Sequence, residues 1–394
     1  MEEIKVILKS GKDQSLKRYH PWVFSGAIKK IKGEPAEGDV VHVYDNKDEF
    51  LGIGHYQIGS IAVRIISFEN VDIDKAFWKN KLQRALYLRK TLGLIDNPET
   101  TVFRLINAEG DGFPGLVIDY YNGVLVIQAH SIGMYRTIDL LSEILRELFE
   151  KKITAIYNKS NSTLPYKADV DKKNYYIFDQ GKASSVKENG LAFDINWEEG
   201  QKTGFYIDQR ENRLLLKQFS KDKTVLNLFG YTGGFSVYAL DGGCKSVDTV
   251  DSSKNAVDLA NSNVEKNFGS LANHRGIASD AFDYLNNEDT EYDVIVLDPP
   301  AFAKHHNVLH NALQGYKKLN RKAIQNINKG GVLFTFSCSQ VVSRENFRKM
   351  IFTAAAGTGR QVRILHQMDQ PSDHPINVYH PEGEYLKGLV LKID

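Results

Sequence analysis

One thiol in this sequence stands where a nucleophile would be useful. Cys338 lies in Ser337-Cys338-Ser339, directly after the apolar run Val332-Leu333-Phe334-Thr335-Phe336. Earlier, a second apolar run from Tyr292 to Leu297 ends in Asp298-Pro299-Pro300. That combination offers a carboxylate beside a rigid wall on which a flat substrate group can stack. A third run, from Thr224, ends in Phe229-Gly230-Tyr231-Thr232-Gly233-Gly234, where glycine allows a sharp turn and close approach to a ligand. Asp251 closes the run from Ser246, placed for ribose hydroxyls, and Asp280 follows a weak run near Gly276–Ala278, placed for an adenine amino group. Taken singly, each acid reads equally well as a helix cap or turn residue, and a lone cysteine after a strand is usually inert. Their recurrence at successive strand ends reverses that reading. The glycine spacing is not G-x-G-x-x-G and no Walker lysine follows, so a nucleotide cofactor without a pyrophosphate is expected.

These residues need a scaffold, and the chain supplies its pattern. From about Glu199, apolar runs alternate with helical periodicity: Thr224–Phe229, Ser246–Asp251, Gly276–Ala278, Tyr292–Leu297 and Gly331–Phe336, then Gln361–His366 and Leu386–Ile393. This predicts an α/β, doubly wound, Rossmann-like sheet over 199–394. Residues 1–70 contain short β-rich runs broken by Gly, Pro and Asp-Asn, the pattern of a small β-barrel. Between them, 71–198 reads as an α+β central domain with helices near Asp74–Thr91 and Tyr135–Glu150. A chain of 394 residues exceeds what one core usually serves. With 42% hydrophobic and 25% charged residues it reads as a soluble, globular protein, and no membrane span or signal peptide is apparent. Only Cys244 and Cys338 occur, which excludes a disulfide scaffold and favours the cytoplasm; Cys244 is read as structural. Net charge is +1, yet Lys5, Lys9, Lys12, Lys17, Arg18, Lys29, Lys30 and Lys32 crowd the start, and Lys317, Lys318, Arg321 and Lys322 form a second basic stretch. Either alone reads first as a solvated face.

The ordered strand-end features resemble a class I S-adenosylmethionine methyltransferase. Asp-Pro-Pro then implies a planar amide-like or base substrate. Cys338 narrows the choice, because carbon-5 of cytosine is too weak a nucleophile to attack a sulfonium methyl group. A thiolate adding at carbon-6 makes carbon-5 enamine-like, whereas amine or guanine nitrogen-7 methylation needs no such help. Longer strings carry a closer likeness. Leu16-Lys17-Arg18-Tyr19-His20-Pro21-Trp22-Val23-Phe24-Ser25-Gly26-Ala27-Ile28, Phe103 to Leu116, Gly204-Phe205-Tyr206-Ile207-Asp208-Gln209-Arg210, FTFSCS and DHP…YHPEGEYLKG together resemble the bacterial large-subunit (23S) rRNA cytosine-5 methyltransferases with an N-terminal PUA domain. The resemblance spans nearly the whole chain.

It implies Cys338 and Asp298 as catalytic residues, and S-adenosyl-L-methionine held by Gln201, Lys202, Asp208, Arg210, the Phe229–Gly234 loop, Asp251, Asp280 and Asp298. It further implies a base resting on Pro299, Pro300 and Phe302, no metal, rRNA as partner, no membrane, and dimerisation as an option. Ala301 stands where the family often has lysine, leaving Lys304 as a substitute, and no second cysteine accompanies Pro300. The base that removes the carbon-5 proton is not apparent. The alternatives are a guanine nitrogen-7 or exocyclic-amine methyltransferase, and a non-catalytic RNA-binding protein.

Overall fold

The computed structural model describes residues 3–165, 170–181, 185–270, 272–287, 291–303 and 308–394. The chain forms two compact units: Met1–Val186 with Ile195–Phe205 and Ser372–Gly383, and Lys187–Asp194 with Tyr206–Pro371 and Glu384–Asp394. It therefore passes between the units several times, where the sequence suggests three consecutive blocks.

The first unit carries two sheets. In one, the strands run in the order Trp22–Phe24, Ile61–Ser67, Phe50–Tyr56, Val40–Tyr44, Lys5–Leu8, Ile28–Lys32. Alternating residues such as Val41, Val43, Val63 and Ile65 fill its core. The other sheet has five strands between Val102 and Phe178 and packs on helices Lys75–Thr91 and Ile132–Phe149. Asp74 caps the first helix by accepting from the Phe77 amide at 2.8 Å, which fixes its start where the sequence suggests. The Glu109–Gly115 turn is built on left-handed Gly112 and Gly115 (φ 75° and 77°). Buried Arg89 clasps Asp111 of that turn in two bonds of 2.5 and 2.8 Å. Residues 372–383 close on the same turn: Arg89 donates to the Asp373 carbonyl (2.7 Å) and Asn107 to the Pro375 carbonyl (3.0 Å).

The second unit is the α/β sheet. Its strands, numbered here in chain order, are β1 Thr224–Leu228, β2 Ser246–Asp251, β3 His274–Ala278, β4 Tyr292–Leu297, β5 Ile327–Ser337, β6 Val362–Met368 and β7 Lys387–Ile393. Their spatial order is β3-β2-β1-β4-β5-β7-β6. The first five pair in parallel, and β7 runs antiparallel between β5 and β6. Near-continuous burial of Val225–Leu228, Val294–Leu297 and Leu333–Ser337 follows from helices covering both faces of the sheet. β5 starts four residues before the expected Gly331. Asn328-Lys329-Gly330-Gly331 reads as a turn, but the strand absorbs it as an irregularity in its pairing with β4, with Gly330 at φ 78°. Among the described residues, no helix is long and apolar enough to cross a membrane.

Candidate active site

The carboxyl ends of β1, β2, β4 and β5 converge, and the expected residues occupy that edge. After β1 the chain makes a strained loop: Phe229 and Tyr231 both hold positive φ (60° and 43°), unusual for aromatic residues. The loop is fixed from below. Asn227 donates to Ser236 (2.9 Å), and Ser236 shares a 2.6 Å bond with Thr249. Its glycines are needed by the protein itself as well as by any ligand. A Cβ on Gly230 would lie 2.3 Å from Thr249 Cγ2, and one on left-handed Gly233 would lie 2.8 Å from Ala260 Cβ. Buried Thr232 lends its carbonyl to Asn263 (2.9 Å), and Gly234 packs against Arg213.

Asp251 braces this loop, accepting from the Tyr231 amide (3.0 Å) and the Ser253 amide (2.9 Å). Asp280 has a structural part of its own to play. It is exposed, and its Oδ1 accepts from the amides of Phe282 (2.8 Å) and Asp283 (3.2 Å), so that oxygen serves as a cap for the helix Ala281–Asn287.

Asp298 is the electrostatic centre. Burial pushes its carboxyl up to about 7, the neighbouring Asp208 adds to the rise, and a bond from Gln209 Nε2 (3.0 Å) with the more distant Arg213 opposes it. Gln209 is fixed in turn by Asn212, which donates to its Oε1 at 2.6 Å. Asp208 takes a bond from the Tyr385 hydroxyl (2.8 Å), while its Oδ1 is buried without a hydrogen-bond partner. A buried carboxylate oxygen in this state is costly unless a ligand meets it. Tyr206 stands edge-on to Tyr231 with centroids 5.3 Å apart, and its phenol is raised by burial, then by Asp298 and Cys338. Arg213 supports this floor: fully buried, it pairs with buried Glu188 (2.8 and 2.6 Å) and donates to the Tyr206 carbonyl (2.9 Å).

Cys338 follows β5 and is partly exposed. On one side Phe302 packs on Tyr316, centroids 4.5 Å apart, and Ser337 donates to the Tyr316 hydroxyl (3.1 Å). Ser339 donates to the Ala303 carbonyl (2.7 Å), tying the segment after Pro299 (buried) and Pro300 (exposed) to the segment carrying the thiol. Buried Lys387 of β7 donates to the Ser339 carbonyl (2.7 Å). Cys244 is a contrasting thiol, pushed up to about 11 by burial and hence unreactive.

Other expected residues fall elsewhere. Gln201 and Lys202 are exposed and fold with the first unit, where Thr203 is locked to Asp119 (2.6 Å) and Tyr121 (2.8 Å). Arg210 is buried and reaches Glu211 at 3.3 Å. Lys304 lies outside the described residues. Of the basic run at the start, Lys17 is neutralised by Asp13 (2.7 Å), Asp45 (3.1 Å) and Glu49 (3.6 Å), and Lys5 by Glu3 (3.2 Å). Lys29, Lys30 and Lys32 stay exposed on the strand Ile28–Lys32. Sequence reasoning missed Gln209, Arg213, Tyr316, Tyr385 and Lys387. The signals available were that Gln209 sits between two residues already singled out, and that Tyr385 and Lys387 fall within the family-like string YHPEGEYLKG.

The donor set suits S-adenosylmethionine. Asp208 has a buried carboxylate oxygen of a kind that suits a cationic group, and Asp251 is an acid at a strand end of a kind that suits ribose hydroxyls. Comparison with known proteins agrees. Residues 6–68 match the PUA-like domain family, and residues 104–379 match the S-adenosylmethionine-dependent methyltransferase family. The chain is 41% identical to the ribosomal RNA large subunit methyltransferase I of Pseudoalteromonas translucida, over 98% of this chain and 99% of that one. It is 37% identical to the protein of the same name from Escherichia coli, with 99% of each covered. Among solved structures, a methyltransferase known as SMU.776, crystallised with SAH, superposes with a TM-score of 0.85 at 26% identity, covering 98% of this chain and 99% of that one. A glycine-loop sheet with acids at its strand ends, preceded by a PUA-like sheet, thus places this chain in the S-adenosylmethionine-dependent methyltransferase family.

Proposed function

We propose that this protein methylates carbon-5 of a cytosine in large-subunit ribosomal RNA through a covalent adduct with Cys338. The single observation that carries the reading is the pairing of a partly exposed thiol at the end of β5 with an Asp298 carboxyl held near 7 at the end of β4. Addition of the Cys338 thiolate to carbon-6 puts negative charge on nitrogen-3 of the ring. A carboxyl that is about half protonated at pH 7 donates its proton there, leaving a neutral enamine whose carbon-5 is nucleophilic. The bound cofactor supplies the methyl group. Loss of the carbon-5 proton to solvent then lets the Cys338 sulfur leave carbon-6, and nitrogen-3 returns its proton to Asp298, restoring the aromatic ring, the carboxyl and the free thiolate. Pro299, Pro300 and Phe302 form the surface for the flat base. Asp208, Asp251 and the Phe229–Gly234 loop surround the cofactor, and the PUA-like sheet contributes RNA affinity. The relatives named as ribosomal RNA large subunit methyltransferases support the choice of substrate.

The test uses transcribed large-subunit rRNA containing 5-fluorocytosine, in which carbon-5 has no proton to lose. With cofactor, the protein is expected to give a complex that survives denaturation. Cys338→Ala should give none while still binding S-adenosylmethionine. Normal methylation by Cys338→Ala would overturn the mechanism and favour an exocyclic amine or guanine nitrogen-7 as the target.

A further inference from the structure

A thiol is a poor nucleophile until it loses its proton, and a free cysteine does so near pH 8.5. The groups that feel the charge of Cys338 include Tyr206 and Tyr316, both kept neutral by burial. Neither supplies positive charge. The antiparallel pairing of β5 and β7 sets Ser337 opposite Lys387, so the lysine enters beside the residue preceding the thiol. Its ammonium then bonds the carbonyl of Ser339, the residue following the thiol, at 2.7 Å. The lysine thus leaves β7 opposite the residue before Cys338, and its ammonium is held on the backbone of the residue after it.

Its surroundings do not otherwise account for a buried charge. One buried guanidinium of the same unit, Arg213, has the carboxylate of Glu188 at 2.6 Å. Lys387 is 3% exposed, and among the described residues no carboxylate lies within ion-pair distance of it. A buried ammonium without an anion costs stability unless one is supplied by function. Burial lowers its titration to about 8, with Arg344 acting in the same sense, while Glu384 and the Cys338 thiolate oppose the fall.

We propose that Lys387 is the positioning cation that keeps Cys338 in its thiolate form. This rests on the reading of Cys338 as the nucleophile but concerns the free protein, before any RNA is bound. No group is transferred: the ammonium retains its protons, and the thiol releases its own to solvent.

The experiment measures alkylation of Cys338 by iodoacetamide against pH, by mass spectrometry, in a Cys244→Ala background. The expected inflection for the parent lies well below 8.5. Lys387→Met should raise it by about one pH unit or more and slow alkylation at pH 7 about tenfold, while Lys387→Arg keeps the low inflection. Binding of SAH to each variant reports that the fold is intact. If Lys387→Met does not fold, the lysine is observed directly by NMR in the parent and in Cys338→Ser. Loss of the thiolate should then lower the pH at which Lys387 titrates. A parent inflection at or above 8.5, the same inflection in Lys387→Met, or an unmoved lysine in Cys338→Ser would each overturn the proposal. A 5-fluorocytosine adduct with an unmoved alkylation profile would sink the lysine's role and leave the cytosine reading standing. A shifted profile without an adduct would do the reverse.

Discussion

The Asp298 carboxyl makes stability depend on pH in an unusual direction. An aspartate in an unfolded chain titrates near 3.9, whereas burial and Asp208 lift this one to about 7 in the native protein. Between those limits the native state holds a proton that the unfolded state has lost. The contribution is fully present below about pH 4 and lost as pH rises through 7. Three pH units at about 1.4 kcal/mol each give roughly 4 kcal/mol. Water reaches part of the recess, so roughly 2–4 kcal/mol is the expected size. Asp298→Asn keeps an oxygen for Gln209 to donate to but cannot ionise. Urea unfolding of the ligand-free protein between pH 5 and 8 should therefore find the variant gaining on the parent as pH rises, and overtaking it near neutrality. Parallel stability curves for the two proteins across this range would refute the reasoning.

Asp251→Ala should weaken S-adenosylmethionine binding about ten- to a hundredfold by calorimetry, because it removes the proposed ribose hydrogen bond and the brace on the Tyr231 amide; unchanged affinity would remove Asp251 from the site. Arg213→Met leaves the Glu188 carboxylate buried without its partner and should cost roughly 3–5 kcal/mol in chemical unfolding, while Lys217→Met, at a half-exposed pair with Asp241, should cost under about 1 kcal/mol. Replacing Lys29, Lys30 and Lys32 by Gln should flatten the salt dependence of rRNA-fragment binding by about 0.7–0.9 in log-log slope for each phosphate no longer neutralised, leaving cofactor affinity unchanged. An identical slope would make that strand a solvated face.

The parts of the site that can be read from sequence are those written locally. An apolar run ending in an acid or a glycine turn marks a strand and its carboxyl end together, so β1, β2 and β4, the loop at Gly230–Gly234, Asp251 and Asp298 are legible in the chain itself. Asp280 is ambiguous for the same local reason, since an acid before a helix also caps it, and one of its oxygens does so. What stays hidden depends on partners far apart in the chain. Nothing near Arg213 announces Glu188, and nothing near Asp208 announces Tyr385. The basic count at the start overstates the free charge, because Asp45 and Glu49, which neutralise Lys17, lie on another turn. Gln209 escapes notice between Asp208 and Arg210 because a buried amide leaves no periodic trace.

The place of β7 in the sheet has a consequence for how the unit assembles. β6 precedes β7 in the chain, yet β7 lies between it and β5, so β6 has no partner in this sheet until β7 arrives. Until then β5 presents an open edge on its apolar run, the kind of strand edge that recruits another chain. Closing it requires pairing between distant residues, which is slow because the loop entropy comes first. Lys387 travels on β7. A nascent or partly folded chain therefore carries Cys338 without its neighbouring cation, as an ordinary thiol that is mostly protonated at neutral pH, and its full reactivity comes with the completed fold.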